Sequence, residues 1–309
     1  MASRQATEED PDEAFVVQSV RDLGGATEGG VGIGDDAAVV GGGDVVTTDT
    51  MVEGVHWDHR LSAADVGWKL VAVNVSDLAA MGARPRWATL AATLPAPLDR
   101  AWWTAFVAGL DAALRHWRLP LVGGDTTRAP HTRVLTLTVA GRAASPVLRS
   151  TARLADDVWV TGQLGRSAEA FLQTTPGAAA ARWLRRPEPP VEFGATLAEA
   201  GLATAMIDLS DGLARDLARL CRASGVGARI DPDRLPGGRP LAQSVAFGED
   251  YELCFTADSA SAAAICSNAA RHGVTVTRIG VITQDAVPLL VGHDRWPASR
   301  FDHFSGDPV

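Results

Sequence analysis

The sequence is very poor in lysine and cysteine. Lys69 is the only lysine among the 28 lysine and arginine residues, and the arginines are scattered along the chain. Because the formal net charge is −9, this composition argues against a surface for nucleic acid or for anionic membranes. The three cysteines, Cys221, Cys254 and Cys266, form no C-x-x-C pair, which argues against a zinc site or a disulfide framework.

Long apolar runs and targeting signals are also missing. No apolar stretch approaches the roughly 20 residues that a membrane-spanning helix needs. The first residues, which include "ATEEDPDEAF", are polar and acidic and differ from a signal or transit peptide. We therefore expect a cytoplasmic protein with no membrane partner.

What the chain does contain is enough apolar material for two domains. It has 309 residues, of which 46% are apolar, and predicted strands and helices alternate along its whole length. This pattern predicts a two-domain fold of the α/β or α+β class. The polar stretch "GRAASPVLRST" is the predicted junction. We expect a mobile tail at 1–11, an N-terminal domain at 12–145 and a C-terminal domain at 146–309.

Acidic residues recur at the ends of predicted elements, always within two residues of Gly, Ser or Thr. The phrases are "GIGDD", "TTDT", "NVSDLAAMG", "GGDTT" and "DLSDG", which contain Asp35, Asp36, Asp49, Asp77, Asp125, Asp208 and Asp211. If these loops converge, the carboxylates repel one another and some must take up protons unless cations neutralise them. Mg²⁺ prefers oxygen ligands and commonly bridges carboxylates to phosphates. The set therefore indicates phosphoryl chemistry.

Each phrase also has a purely structural interpretation. "GDD" alone is more often a turn than a metal site. Ser210 and Asp211 are suited to an N-cap and a first-turn acid of the following helix. Asp77 is different, because it lies within an apolar helical stretch where an unpaired carboxylate costs several kcal/mol. His56, next to Trp57, is as often structural as functional.

Several common nucleotide-binding and catalytic motifs are absent. There is no G-x-x-x-x-G-K-[ST] loop, no H-R-D with D-F-G set and no G-x-S-x-G elbow. The glycines of "GGATEGGVGIGDD" are weak support for a dinucleotide fold in a chain so rich in glycine. A P-loop nucleotide enzyme, a protein kinase and a serine hydrolase are therefore not supported.

Taken together, these phrases resemble a known family. In chain order they are "GIGDDAAV", "TTDTMVEGVHW", "AVNVSDLAAMGA", "LVGGDTTR", "IDLSDGLARDL", "GEDYELCF" and "FDHF". They resemble the thiamine-monophosphate kinase family of the aminoimidazole ribonucleotide synthetase-like superfamily. The resemblance implies an N-terminal α+β domain whose sheet forms a homodimer, and a C-terminal α/β domain. It also implies ATP-dependent phosphorylation of thiamine monophosphate to thiamine diphosphate, without a P-loop.

The resemblance also implies roles for individual residues. The expected Mg²⁺ ligands are Asp36, Thr47, Thr48, Asp49, Asp77, Asp125, Asp208 and Asp211, and of these Asp36, Asp49, Asp125 and Asp211 are also expected to be catalytic. Gly124, Arg149 and Ser210 are expected to contact ATP, and His56, Glu249 and Phe301 the thiamine monophosphate. For Phe301, packing in a C-terminal core is an equally good interpretation. Residues 172–200 match nothing distinctive and are expected to vary freely.

Two other hypotheses stay open at this stage. One is a related ATP-dependent synthetase of the same superfamily. The selenide enzyme of that superfamily fits poorly, because it expects a reactive cysteine near the N-terminal glycines and the first cysteine here is Cys221. The other is a non-catalytic sensor that binds nucleotide and metal, which would require the loss of a central acid.

Overall fold

The chain forms two separate β-sheets, the first from strands up to Arg142 and the second from strands that begin at Asp157. The computed structural model describes residues 11–21, 23, 25–285 and 287–292, with side chains from residue 15 onward. The predicted mobile tail at 1–11 lies almost entirely outside the described residues. Within the described part, no helix is both long enough and apolar enough to cross a membrane. The two-domain fold predicted from the sequence is confirmed, and the domain boundaries stay a prediction.

The first sheet has five strands in the order β1-β2-β5-β3-β4, and only the β3–β4 pair is parallel. The strands are β1 (Ala38–Val40), β2 (Asp44–Val52), β3 (Arg84–Pro95), β4 (Leu121–Ala129) and β5 (Val134–Arg142). The helices of this half are α1 (Pro11–Arg21), α2 (Ala63–Ala80) and α3 (Arg100–His116). In β2 the side chains of Val45, Thr47 and Met51 are buried, while Thr48 and Thr50 between them are exposed, as the two-residue period of a one-sided sheet requires.

The second sheet has six strands in the order β11-β8-β10-β6-β9-β7, and only the β11–β8 pair is parallel. The strands are β6 (Asp157–Thr161), β7 (Ala205–Asp208), β8 (Gly227–Ile230), β9 (Leu253–Ala257), β10 (Val276–Thr283) and β11 (Leu289–Leu290). The helices are α4 (Arg166–Leu172), α5 (Ala178–Arg185), α6 (Val191–Glu199), α7 (Leu213–Ser224), α8 (Leu241–Ala246) and α9 (Ala262–His272). Because its pairs are mainly antiparallel, α+β describes this half better than α/β.

Helix α2 lies between the two halves and is buried along most of its length. It begins at a capping box in which Ser62 and Asp65 exchange hydrogen bonds. Its apolar side chains share one core with residues of the second half, such as Phe193 and Met206. Phe193 belongs to α6, so this helix of the segment 172–200 contributes to the shared core, and the free variation expected for the segment stays a prediction. The burial of α2 on several sides explains why apolar residues cover most of its surface.

We predict that the contact between α2 and α3 does not tolerate a side chain at Gly109. A Cβ atom there would lie 1.8 Å from the backbone oxygen of Ala64. Gly109→Ala should lower the free energy of unfolding by about 1–3 kcal/mol, because helix backbones in contact must move apart. Denaturant unfolding measures this change. Val107→Ala, on the exposed side of α3, is the control and should change stability by less than about 0.5 kcal/mol.

Candidate active site

Three carboxylates from distant parts of the chain meet between the two halves. Asp36 lies just before β1, Asp77 lies in the last turn of α2, and Asp208 is the last residue of β7. One oxygen atom from each lies within 4.8 Å of the other two. The convergence expected from the sequence is therefore present for these residues. Three acids this close are the donor set that a hard divalent cation prefers.

Neighbouring side chains hold the cluster in place. Thr47 Oγ1 donates a hydrogen bond to Asp77 Oδ2 at 2.5 Å, and Ser76 Oγ donates to Asp208 Oδ2 at 2.6 Å. Ser76 and Asp77 are successive residues of α2, so the same part of this helix carries one carboxylate and the hydroxyl donor to another. These hydroxyl donors orient the acids but do not cancel their charge.

Burial and mutual repulsion raise the pKa values of the acids in this arrangement. Burial, followed by repulsion from Asp49, Asp208 and Asp36, raises the pKa of Asp77 well above its usual value. Burial and the charge of Asp36 likewise raise the pKa of Asp208. Burial, with a contribution from Asp211, raises the pKa of Asp49 to about 6. An oxygen-rich, negatively charged site of this kind fits Mg²⁺, because a divalent cation removes the repulsion that otherwise favours protonation.

Asp49 lies in β2, two residues after Thr47, and belongs to the rim of the same site. Its backbone N–H donates a hydrogen bond to Asn74 Oδ1 of α2 at 3.2 Å. This contact ties β2 to the helix that carries Asp77. The charge of Asp211 contributes to the raised pKa of Asp49, so the two carboxylates lie within electrostatic reach of each other.

Arg149 is the cation that faces the cluster. Its Nε donates to Asp36 Oδ2 at 3.0 Å and its Nη2 donates to Asp36 Oδ1 at 2.6 Å, a bidentate ion pair. Its backbone N–H donates to Asp35 Oδ2 at 3.1 Å, which gives the first acid of "GDD" a structural partner. Burial, with repulsion from Asp36, raises the pKa of Asp35 to about 6. A guanidinium in this position is close enough to the acids to contact a phosphate bound there.

Ser210 and Asp211 form the turn between β7 and α7. The N-cap of α7 is Gly212, with no side-chain cap, so the N-cap interpretation of Ser210 and Asp211 is wrong. Asp211 instead forms an ion pair with Arg219, whose Nη1 lies 2.6 Å from Asp211 Oδ2. The backbone N–H of Asp211 donates to Asp216 Oδ2 at 3.0 Å. The turn is therefore held by α7, with the Asp211 carboxylate directed by contacts that the sequence did not suggest.

Two expected metal ligands point away from the cluster. Thr48 Oγ1 lies 3.0 Å from Thr138 Oγ1, on the exposed face of the first sheet. Asp125 is exposed and is aligned with Ala91 of β3, which is aligned with Thr136 of β5, on this same exposed face. Because aligned residues of neighbouring strands point to one side, the carboxylate of Asp125 lies on the face opposite Asp49. Within one chain, the structure does not bring either side chain to the other acids.

Gly124, the expected ATP contact in β4, has a structural explanation of its own. A Cβ atom at this position would lie 1.9 Å from the backbone oxygen of Leu90 in β3. Only glycine therefore allows the observed approach of the two strands. Its contact with ATP stays a prediction.

The expected substrate contacts are partly described. Glu249 follows α8 and its Oε1 lies 2.6 Å from Lys69 Nζ. His56 lies in the turn after β2, where its Nδ1 accepts a hydrogen bond from the backbone N–H of Val52 at 3.0 Å. The structural interpretation of His56 is thus supported, and its contact with substrate stays a prediction. Phe301 lies outside the described residues.

Sequence reasoning missed several residues that hold the site. They are Lys69, Asn74, Ser76, Asp216 and Arg219. Lys69 carried a usable signal, because a lone lysine in the apolar stretch "VGWKLVAV" must find a buried partner. Asp216 and Arg219 are three residues apart on α7, a spacing that places them on one helical face.

Comparisons with known proteins identify the family of this chain. Residues 34–143 match the N-terminal domain of AIR synthase related proteins, and residues 156–290 match the C-terminal domain. The thiamine-monophosphate kinase of Salmonella typhimurium is 38% identical over 301 residues, covering 89% of this chain and 92% of the relative. The crystal structure of thiamine-monophosphate kinase from Stenotrophomonas maltophilia is 36% identical, with a TM-score of 0.75, covering 91% of this chain and 95% of that one. A structure of AaThiL complexed with AMPPCP and TMP is 25% identical, with a TM-score of 0.80, covering 96% and 98%.

Proposed function

This chain belongs to the family of AIR synthase related proteins, and we propose that it transfers the γ-phosphoryl group of ATP to thiamine monophosphate. The products are thiamine diphosphate and ADP. The observation that carries the proposal is the Asp36, Asp77 and Asp208 cluster between the two halves, in a fold shared with a relative whose complex contains an ATP analogue and TMP. The activity in the names of the relatives requires this kind of anionic, oxygen-rich site.

The reaction needs two phosphate groups to be held together. An oxygen of the acceptor phosphate attacks the γ-phosphorus, and the bond to the β–γ bridging oxygen breaks. Because the acceptor oxygen is already ionised at neutral pH, no strong general base is required. The main barrier is the repulsion between two anions, so positioning and charge neutralisation account for most of the catalysis.

Different residues would bind the metal, orient its ligands and contact the phosphates. Asp36, Asp77 and Asp208, with Asp49 at the rim, would hold Mg²⁺, which when bound neutralises the phosphate oxygens. Thr47 and Ser76 orient two of these carboxylates through their hydroxyl groups. Arg149 adds a fixed positive charge beside Asp36 and would contact the phosphates of ATP. Ser210 and Asp211 would approach the nucleotide and the metal from the turn before α7.

We also propose a homodimer, which accounts for the position of Asp125. Among the described residues, β4 pairs only with β3, so its other edge is open. In the same part of the chain, the edge of β2 that pairs with β1 at residues 44–46 has no strand partner from Thr47 to Val52. Strands with open edges readily add a strand from another chain. Leu121 and Val122 of β4 are 42% and 62% exposed, an unusual exposure that a second copy would cover. A β4 strand from a second copy, paired with β2, would place its Asp125 one strand spacing from β2, whereas three spacings separate these strands within one chain.

The competing hypotheses are separated by what happens to ATP. A related synthetase would hydrolyse ATP without forming thiamine diphosphate. A sensor would bind both ligands without turnover, but Asp36, Asp77 and Asp208 are all present here. A cytoplasmic location stays a prediction.

The test is a direct assay of the purified protein. With ATP, Mg²⁺ and thiamine monophosphate, we expect equal amounts of thiamine diphosphate and ADP, and the chelator EDTA should abolish the reaction. Chromatography separates the nucleotides from the thiamine phosphates. If folded, metal-replete protein forms no thiamine diphosphate, the proposed function is wrong.

A further inference from the structure

The chain's only lysine lies buried beside the active site. Lys69 is in the second turn of α2, with its side chain 2% exposed. An ammonium group taken out of water must be paired, because an unpaired buried charge costs several kcal/mol. Its partner is Glu249, whose Oε1 lies 2.6 Å from Lys69 Nζ. The pair joins α2 of the first half to the loop between α8 and β9 of the second half.

The backbone of Glu249 is held as firmly as its side chain. Its φ angle is +65°, a left-handed conformation that a residue other than glycine rarely adopts. Its N–H donates to the backbone oxygen of Ser210 at 2.7 Å, and its own carbonyl accepts a hydrogen bond from Ser167 Oγ. Strained backbone of this kind persists only where surrounding contacts impose it, and it is common at functional sites.

Glu249 also lies against the turn that carries Asp211. At Gly248, the residue before it, a Cβ atom would lie 2.2 Å from the backbone oxygen of Ser210, so the two loops are in close contact. The hydroxyl of Tyr251 reports the same proximity: after burial, the charges of Glu249, Asp49, Asp208 and Asp211 raise its pKa. The carboxylate of Glu249 is therefore a neighbour of the phosphoryl-transfer site, yet it stands outside the Asp36–Asp77–Asp208 cluster.

Among the described residues, only one of the two oxygens of Glu249 has a partner. Oε1 is paired with Lys69, whereas Oε2 has no hydrogen bond among the described residues. The side chain is 28% exposed, so a ligand can reach it. A carboxylate that is charged, fixed in direction and open at one oxygen is a strong hydrogen-bond acceptor.

We propose that Lys69 is a positioning residue whose ion pair holds the Glu249 carboxylate directed at the acceptor substrate. This inference rests on the proposed function and extends it. Glu249 Oε2 would accept a hydrogen bond from the exocyclic amine of the aminopyrimidine ring of thiamine monophosphate. Lys69 does not touch the substrate itself. A site built to accept a hydrogen bond rejects an analogue that lacks the donor, so the pair would determine specificity.

The test compares Lys69→Met and Lys69→Arg with the wild type. For Lys69→Met we expect the KM for thiamine monophosphate to rise about tenfold or more, while the KM for ATP stays within about twofold. The preference for thiamine monophosphate over its oxo analogue, in which a carbonyl replaces the amine, should fall by a similar factor. Lys69→Arg keeps the charge and should retain part of that preference.

A double mutant separates positioning from a general structural effect. If Lys69 acts through Glu249, adding Lys69→Met to Glu249→Gln should raise the KM for thiamine monophosphate no further than Glu249→Gln alone. The matched control is Arg186→Met, which removes another pair between α2 and the second half, Arg186 Nε to Asp65 Oδ1 at 2.6 Å. This control should leave the analogue preference unchanged.

The possible outcomes are distinct. If the wild type does not phosphorylate thiamine monophosphate, the proposed function fails. If the wild type is active and Lys69→Met keeps its KM and analogue preference, the role of Lys69 is overturned. If Lys69→Met does not fold, Lys69→Arg decides: an unchanged preference together with an unchanged KM contradicts the proposal, because the guanidinium cannot reproduce the position of the ammonium.

Discussion

Asp77→Asn is expected to reduce phosphoryl transfer by at least about a thousandfold while making the metal-free protein more stable at pH 8. Activity is lost because one of three converging carboxylates no longer carries charge for Mg²⁺. Stability rises because asparagine keeps the shape and can still accept the hydrogen bond from Thr47, but no longer repels Asp36 and Asp208. A substitution that removes activity and stabilises the fold identifies a functional acid.

The direction of the pKa shift of Asp77 determines how the free energy of unfolding changes with pH. The pKa of Asp77 is raised in the folded protein, so the folded state binds more protons than the unfolded state once the pH exceeds about 4. The free energy of unfolding of the metal-free protein should therefore fall as the pH rises through this range. For Asp49, whose pKa is raised to about 6, most of this loss is complete near neutral pH. Mg²⁺ should restore stability most strongly at high pH.

Thermal unfolding at pH 5.5 and pH 8, either in EDTA or in Mg²⁺ without EDTA, measures these effects. The control is Asp58→Asn. A hydrogen bond from Arg60 lowers the pKa of Asp58, so replacing this carboxylate should not stabilise the metal-free protein at pH 8. An unchanged or lower unfolding temperature for Asp77→Asn at pH 8 without metal would contradict the electrostatic argument. Turnover close to that of the wild type would remove Asp77 from the site.

The central part of the site could be predicted because its signals are local. Asp77 was recognised as functional from its position in an apolar helical stretch, and the structure places it in the acid cluster. Asp36 and Asp208 each lie within two residues of glycine or serine, Asp36 just before β1 and Asp208 at the end of β7. The resemblance added the order of the phrases, and the family match confirms it.

The rest depends on contacts between residues far apart in the chain. Lys69 and Glu249 are 180 residues apart in the sequence, and no local sequence pattern around either residue predicts their contact. Residues 178–199 have no distinctive motif, yet α6 packs against α2, with Gly194 so close to Ala79 that a Cβ would lie 2.3 Å from its backbone oxygen. The direction of Asp125 depends on the register of β4 against β3, which the sequence "GGDTT" does not determine.

The direction of the Asp125 side chain leads to a second prediction with a large expected effect on activity. Gly124 is aligned with Leu90, Leu90 with Leu137, and Leu137 with Asp49, so three strand spacings separate Asp49 from Gly124. At about 4.8 Å per spacing, the distance is about 14 Å, and Asp125 points to the opposite face. Within one chain, Asp125 therefore cannot share a metal ion with Asp49. A second copy is needed if Asp125 is to serve the reaction.

Mixing two inactive variants tests this requirement. Asp77→Asn and Asp125→Asn should each be inactive alone, yet after subunit exchange the mixture should recover about one quarter of wild-type activity. Half of the dimers are then mixed, and each mixed dimer has one intact cluster opposite an intact Asp125. Size-exclusion chromatography with light scattering checks that both variants form dimers. The control mixture, Asp77→Asn with Asp208→Asn, should recover nothing, because both substitutions lie in the same cluster and every dimer then has two damaged clusters. If the Asp77→Asn and Asp125→Asn mixture also stays inactive after exchange, Asp125 does not act across the interface.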